Sequence, residues 1–328
     1  MMRRREFIAG LGSAAAGPLA ARVQEGDRVR RIGILVPAVA DDPEFQARVR
    51  AFLQELAQLG WAIGGNLQID MHGAGFNPAD IRRHAAQLAV SGPDVILAHG
   101  ALTVRTLIQE TRSLPIVFAT TADPVADGFV ESLARPGGNA TGFLSYEYSF
   151  AAKWLEMLKE IAPGVTRAAV LQAPSSAGSS QFAVIQAVAP SLRIEVRPLN
   201  VTDDAAIERA IAAFARSPNG GLIVTGAAPF GARRDLIVKL AGQHKLPAVY
   251  FDRAFVAAGG LISYGLRYID QYRLAAGYVD RVLRGEKPAD LPVQAPTKYQ
   301  LVINLKTAKA LGLGVPATIY VRADEVIE

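Results

Sequence analysis

The chain of 328 residues contains no cysteine. That removes disulfides, thiolate catalysis, cysteine-ligated zinc and a cysteine-linked lipid anchor from consideration. It also lacks an apolar run long enough to span a bilayer, which takes about 20 residues. Neither a Gly-x-Ser-x-Gly elbow nor a phosphate loop ending in Gly-Lys-Ser/Thr occurs, so two common enzyme signatures are missing. The histidines, His72, His84, His99 and His244, show no His-x-x-x-His pair or other metal-ligand spacing. Concentrated charge is absent too. Of the formal +5, Arg3, Arg4, Arg5 and Arg22 against Glu6 supply +3, and the dispersed remainder argues against nucleic-acid binding.

What is present begins with Arg3-Arg4-Arg5-Glu6-Phe7-Ile8, followed by a weakly apolar run of Ala, Gly and Leu up to Ala21. A basic start, a short apolar middle and small residues predict a secretory signal peptide over residues 1–24. Arg4-Arg5-x-Phe7-Ile8 resembles the twin-arginine export motif. Gly10-Leu-Gly12 mimics part of a dinucleotide fingerprint, but no strand precedes it and no cofactor is expected.

The stretch that organises the remainder is Leu114 to Val125. Its apolar run, Ile116 to Ala119, reads as a strand buried on both faces, and it breaks into Thr120, Thr121 and Asp123 before Pro124. In open parallel α/β sheets ligands bind beyond such carboxyl ends. Leu246 to Asp252 echoes the pattern. Arg31–Pro37 is likewise echoed by Arg167–Ala173, and Asp94–Gly100 by Gly221–Gly226. Three pairs in one order, roughly 130 residues apart, indicate a duplicated α/β domain rather than a solenoid. Strands and amphipathic helices alternate throughout, as with Phe45 to Leu59 before Gly60. The fold class is therefore α/β, two Rossmann-like lobes with parallel sheets.

Asp123-Pro124-Val125, Arg135-Pro-Gly-Gly-Asn139, Ser263-Tyr264-Gly265, Gly285 to Val293 and Val302 to Gly312 complete a pattern with the N-terminal motif. The sequence resembles the substrate-binding proteins of bacterial ABC importers, in the group that includes tryptophan- and tyrosine-type binding proteins. The resemblance spans essentially the whole chain. It implies a type I periplasmic binding fold with three crossings: lobe one over 29–145 plus 263–288, lobe two over 146–262 plus 289–328. It also implies a periplasmic monomer without catalysis. A small solute, with aromatic amino acids among the candidates, would close the cleft by hinge motion and pass to the permease and ATPase subunits at the inner membrane. A periplasmic enzyme acting in the same cleft and a sensory binding subunit are the alternatives.

Candidate ligand groups follow from the strand ends. Asp123 could pair with a cationic amine, or serve only an Asx turn beside Pro124. Thr120 and Thr121 could offer hydroxyls. Asp252 is its counterpart in lobe two, with Arg253 beside it able to neutralise it. Anion recognition would come from helix starts, Gly100, Ala101 and Thr103 in lobe one and Ser175, Ser176 and Ser179 in lobe two, unless these are ordinary caps. The first loop, from Ala38 to Asp42, occupies the place after strand one. Tyr146, Tyr250, Phe251 and above all Tyr264 could pack on a solute, although aromatics there are more often core. His99 ends a strand, where a hydrogen-bonded structural role is the expected one.

Overall fold

A computed structural model describes residues 28–38, 42–145, 150–173, 176–201 and 203–328. The expected signal peptide, Tyr146 and Ser175 lie outside them.

The first lobe runs β1 (Arg30–Val36), α1 (Pro43–Gln58), β2 (Leu67–Gly73), α2 (Pro78–Ser91), β3 (Val95–Ala98), α3 (Ala101–Glu110), β4 (Ile116–Thr121) and β5 (Ala140–Leu144). The second contains α4 (Ala151–Ile161), β6 (Arg167–Gln172), α5 (Ser176–Leu192), β7 (Glu195–Asn200), α6 (Asp204–Ala215), β8 (Gly220–Val224), α7 (Ala228–Ala232), α8 (Arg234–Gln243), β9 (Ala248–Tyr250), α9 (Arg253–Ala257) and β10 (Ile262–Leu266). After α10 (Tyr268–Leu283) come β11 (Tyr299–Asn304), α11 (Leu305–Ala310), α12 (Ala317–Arg322) and β12 (Glu325–Ile327). Local chemistry sets the helix starts. Asp42 accepts the Glu44 and Phe45 N–H groups at 3.0 Å ahead of Pro43, and Asn304 accepts from Thr307.

One sheet has the order β2-β1-β3-β4-β5 and the other β12-β11-β10-β9-β8-β6-β7. Reading the second from β7 gives β7-β6-β8-β9-β10, the order of the first. The duplication visible in sequence is thus a duplication of topology, with β11 and β12 added at one edge. All pairings are parallel except that of β10 with β11. The central strands are apolar on both faces because each sheet is covered on both. Ile34, Leu97 and Val117 pack under α1 and α10, and Ile96, Ile116 and Phe118 under α2 and α3. In lobe two Val170, Ile223 and Val249 face α4 and α5, while Leu171, Val224 and Tyr250 face α6 and α8.

The crossings differ from expectation by a few residues. Ile262–Leu266 pairs with Val249 and Tyr250 on one side and with Tyr299–Ile303 on the other, so β10 belongs to the second sheet. The chain therefore returns to lobe one at Arg267, not 263. It stays there through Gln294, whose N–H donates to Gly142 O at 3.0 Å and whose carbonyl accepts from Leu144. Two glycines let the neighbouring backbone approach closely at the ends of the strands before these crossings. A Cβ on Gly142 would lie 2.0 Å from Phe118 O, and one on Gly265 would lie 1.8 Å from Phe251 O. These glycines occupy β5 and its topological counterpart β10.

Candidate functional site

The carboxyl ends of both parallel sheets face one another, and the start of α1 meets the start of α9 across the gap. Arg48, only 4% exposed, donates from Nη2 to Asp252 Oδ2 at 3.0 Å. The other oxygen, Oδ1, accepts the Ala254 N–H at 2.9 Å and so caps α9. The guanidinium lies over the Phe45 ring at 4.7 Å and the Tyr268 ring at 4.3 Å. Burial by itself would lower the Arg48 pKa. The field of Asp252, then of Tyr268, Tyr272 and Glu44, outweighs it and holds the group above its ordinary value. Arg253 joins Glu44 of lobe one at 2.6 Å and Glu325 of lobe two at 2.7 Å. A further approach brings Phe76 of lobe one to α7, where a Cβ on Gly231 would stand 3.6 Å from its Cζ. The lobes therefore stand closed on each other, with an ion pair buried between them.

His99 sits beside this pair. Phe45 meets it edge-on at 4.9 Å, Tyr268 lies at 5.8 Å, and its Nδ1 is 3.2 Å from the Tyr272 hydroxyl. Burial and then the Arg48 charge push the His99 pKa well below the usual histidine range. The folded protein therefore keeps His99 neutral where an unfolded chain would take up a proton. Stability contributed by this group is present above about pH 6.5 and is lost as pH falls below it. Thermal melts between pH 7.5 and 5 should show a slope approaching one proton, about 1.4 kcal/mol per pH unit, that His99→Gln removes. An identical slope in the variant would show that other groups carry the acid response.

The remaining expected residues divide into several uses. Asp123 Oδ1 accepts the Ala126 N–H at 2.9 Å, the turn-forming use of an Asp-Pro pair. The Thr120 hydroxyl bonds to Ser145 Oγ, joining β4 to the first crossing. Thr103 Oγ1 donates to His99 O at 2.6 Å and Gly100 O at 2.8 Å, so its hydroxyl serves the helix start. Gly100, at φ 83°, donates its N–H to Thr120 O at 3.0 Å. It leaves the start of α3, at Ala101, without a side-chain cap. Ala38 is buried, its carbonyl accepting from Gly75. Ser176 opens α5.

Two expectations change. Asp252 is neutralised by Arg48 from the opposite lobe and not by its neighbour Arg253, which points to Glu44 and Glu325. Tyr264 stacks on Phe150 at 4.6 Å within lobe two, and its carbonyl accepts the Trp154 Nε1–H at 2.7 Å. It is part of a core cluster because β10 stays in the second sheet. Tyr250, fully buried, stacks on Phe255.

Sequence reasoning passed over Arg48, although it lies three residues after Phe45 and four before Phe52, on the apolar stripe of α1. A cation on a buried stripe demands a partner, and that was its signal. It also passed over Gln172. Three polar atoms at strand carboxyl ends, Thr121 Oγ1 on β4, Gln172 Oε1 on β6 and Tyr250 Oη on β9, are buried with no hydrogen-bond partner among the described residues. No group of three His, Asp or Glu side chains among those residues forms a metal site, and no helix among them is long and apolar enough to cross a membrane.

Two equivalent α/β lobes closed over a cleft of paired strand ends are the architecture of type I periplasmic binding proteins. The family model for ABC transporter substrate binding proteins matches residues 31–327, and the chain belongs to that family. It is 24% identical over 309 residues to the tyrosine-binding protein of Clostridioides difficile (strain R20291), spanning 91% of this chain and 87% of the relative. An ABC domain from Streptococcus pneumonia, solved in complex with L-Trp, superposes with a TM-score of 0.83 at 25% identity, over 91% of this chain and 99% of that one. A conserved domain protein from Vibrio cholerae gives 0.82 at 27% identity, over 91% and 100%.

Proposed function

We propose that this substrate-binding protein works in the periplasm and captures a free amino acid, an aromatic one first, for delivery to a permease and its ATPase. The observation that supports capture by closure is the Arg48–Asp252 pair, whose partners come from different lobes and leave water together when the lobes meet. Only contacts that differ between open and closed forms can drive such a closure, and this pair is one. The amino-acid reading draws on the uncapped start of α3, where free N–H groups suit a carboxylate, and on the relatives described with tyrosine and L-Trp. The N-terminal motif supports export.

Isothermal titration with the twenty common amino acids tests it. L-Trp or L-Tyr should bind one per chain in the micromolar range or tighter. Asp123→Ala should lower that affinity at least tenfold if its carboxylate holds the ligand amine, and leave it unchanged if Asp123 serves only its turn. Saturable binding of a sugar or inorganic anion, with none by any amino acid, would overturn the assigned ligand class.

A further inference from the structure

On the outer edge of lobe one, two histidines that are twelve positions apart in sequence meet. His72 projects from the edge strand β2 and His84 from α2. Their Nδ1 atoms are 2.9 Å apart, with ring centroids at 4.8 Å. Gln87, one turn further along α2, brings Oε1 to 3.0 Å from His84 Nδ1. His84 Nδ1 thus lies within hydrogen-bonding distance of both His72 Nδ1 and Gln87 Oε1, and neither histidine takes part in the interlobe contacts. The pair escaped sequence inspection because its spacing belongs to no helical or hairpin motif. It exists only because β2 and α2 are packed side by side.

We infer that His72 and His84, with Gln87 Oε1, form a binding site for a divalent late transition-metal ion. With metal–nitrogen bonds of about 2.0–2.1 Å, a nitrogen separation of 2.9 Å subtends about 90° at the ion. That is the cis angle of tetragonal Cu²⁺ or octahedral Ni²⁺; a tetrahedral Zn²⁺ would need the nitrogens roughly 3.3 Å apart. The spacing as it stands is nearer the cis angle of Cu²⁺ and Ni²⁺ than the tetrahedral angle of Zn²⁺. Imidazole donors suit all three ions, and water would complete the shell on the exposed side.

The surroundings supply an outer partner. Asp70 Oδ1, two residues before His72 on the same strand, lies 2.9 Å from His72 Nε2, though off the line of a good hydrogen bond. A small turn of the ring would complete the carboxylate–histidine–metal arrangement that holds the second ring nitrogen protonated and leaves Nδ1 for the ion. Arg83 lies 3.4 Å from His84 Nε2, and its charge is balanced by Asp80 at 2.6 Å. A bound ion would tie β2 to α2.

Isothermal titration of the purified protein, freed of any affinity tag, with CuCl₂ and NiCl₂ at pH 7.5 reads this directly. One ion per chain should bind in the micromolar range. His72→Ala and His84→Ala should each weaken it at least tenfold, and Asp70→Asn by a comparable factor through the ring it orients. Far-ultraviolet circular dichroism of each variant establishes that it is folded. Electron paramagnetic resonance of the wild-type Cu²⁺ complex should show coupling to two imidazole nitrogens, a readout independent of any variant. Absence of saturable binding up to about 1 mM ion would overturn the site. So would a Cu²⁺ spectrum without imidazole nitrogens, or undiminished binding in both histidine variants.

Discussion

Asp252→Asn should weaken solute binding about 100-fold while leaving α9 intact. Asparagine caps a helix as well as aspartate does, so the bond to the Ala254 N–H survives and only the charge is lost. In the closed form that substitution strands the Arg48 guanidinium, 4% exposed, without its counter-ion. Breaking a buried pair by removing one partner costs about 3–5 kcal/mol, and the retained amide oxygen offsets part of this. The penalty falls on the closed state alone, since Arg48 regains water when the lobes part. At about 1.4 kcal/mol per factor of ten, a residual 3 kcal/mol gives the stated loss. The double variant Arg48→Met with Asp252→Asn should return to within about tenfold of the parent, because it leaves no charge to strand. Titration of all three proteins with the same ligand decides the matter. Parental affinity in Asp252→Asn would mean that the pair is not part of closure.

Gly265→Ala should lower the melting temperature by roughly 5 °C or more and cost ligand affinity as well. Its Cβ would stand 1.8 Å from Phe251 O, a backbone atom that cannot retreat alone. Retreat carries the next residue, Asp252, away from Arg48. Overpacking of this kind costs about 1–3 kcal/mol and sometimes more, and a chain of this size loses about 2–4 °C per kcal/mol. Gly142→Ala, facing Phe118 O at 2.0 Å with φ 154°, should behave alike in lobe one. Gly277→Ala is the contrast: it lies inside α10 with nothing within 4 Å, and alanine there should stabilise by up to about 1 kcal/mol. Scanning calorimetry would register both signs. A Gly265→Ala protein that melts with the parent would show that β9 can yield without loss.

Much of the fold was legible because it was written twice. Apolar runs ending in polar residues at Thr120 and again at Asp252 predicted both sheets, and the shared strand order followed. The position of β10 was not legible, since Ser263-Tyr-Gly265 reads equally well as a crossing or as a strand. Only its hydrogen bonds to β9 and β11 decide. Of the site, Asp252 was visible as a strand-end carboxylate, whereas its partner was not. Arg48 and Asp252 are separated by 204 positions, and a pairing across lobes leaves no local spacing to read. The hydroxyl of Thr103 illustrates the converse difficulty. A ligand donor and a helix-start hydroxyl look the same in sequence, and here it serves the helix.

The helix that seals lobe one is encoded after most of lobe two. Tyr272, Ala275, Ala276, Val279 and Leu283 of α10 complete the apolar layer that Ile34, Leu97 and Val117 begin. On a ribosome adding about 5–20 residues per second, the first sheet therefore waits on the order of ten seconds for its cover after β5 has been made. Through that interval one face of the earliest strands has only α1 for cover. Lobe two is itself completed only by Leu301, Ile303, Ala308 and Ile319, encoded beyond α10, so neither lobe is finished until the chain has crossed back to it. A chain severed at the first crossing would carry a sheet lacking half its roof.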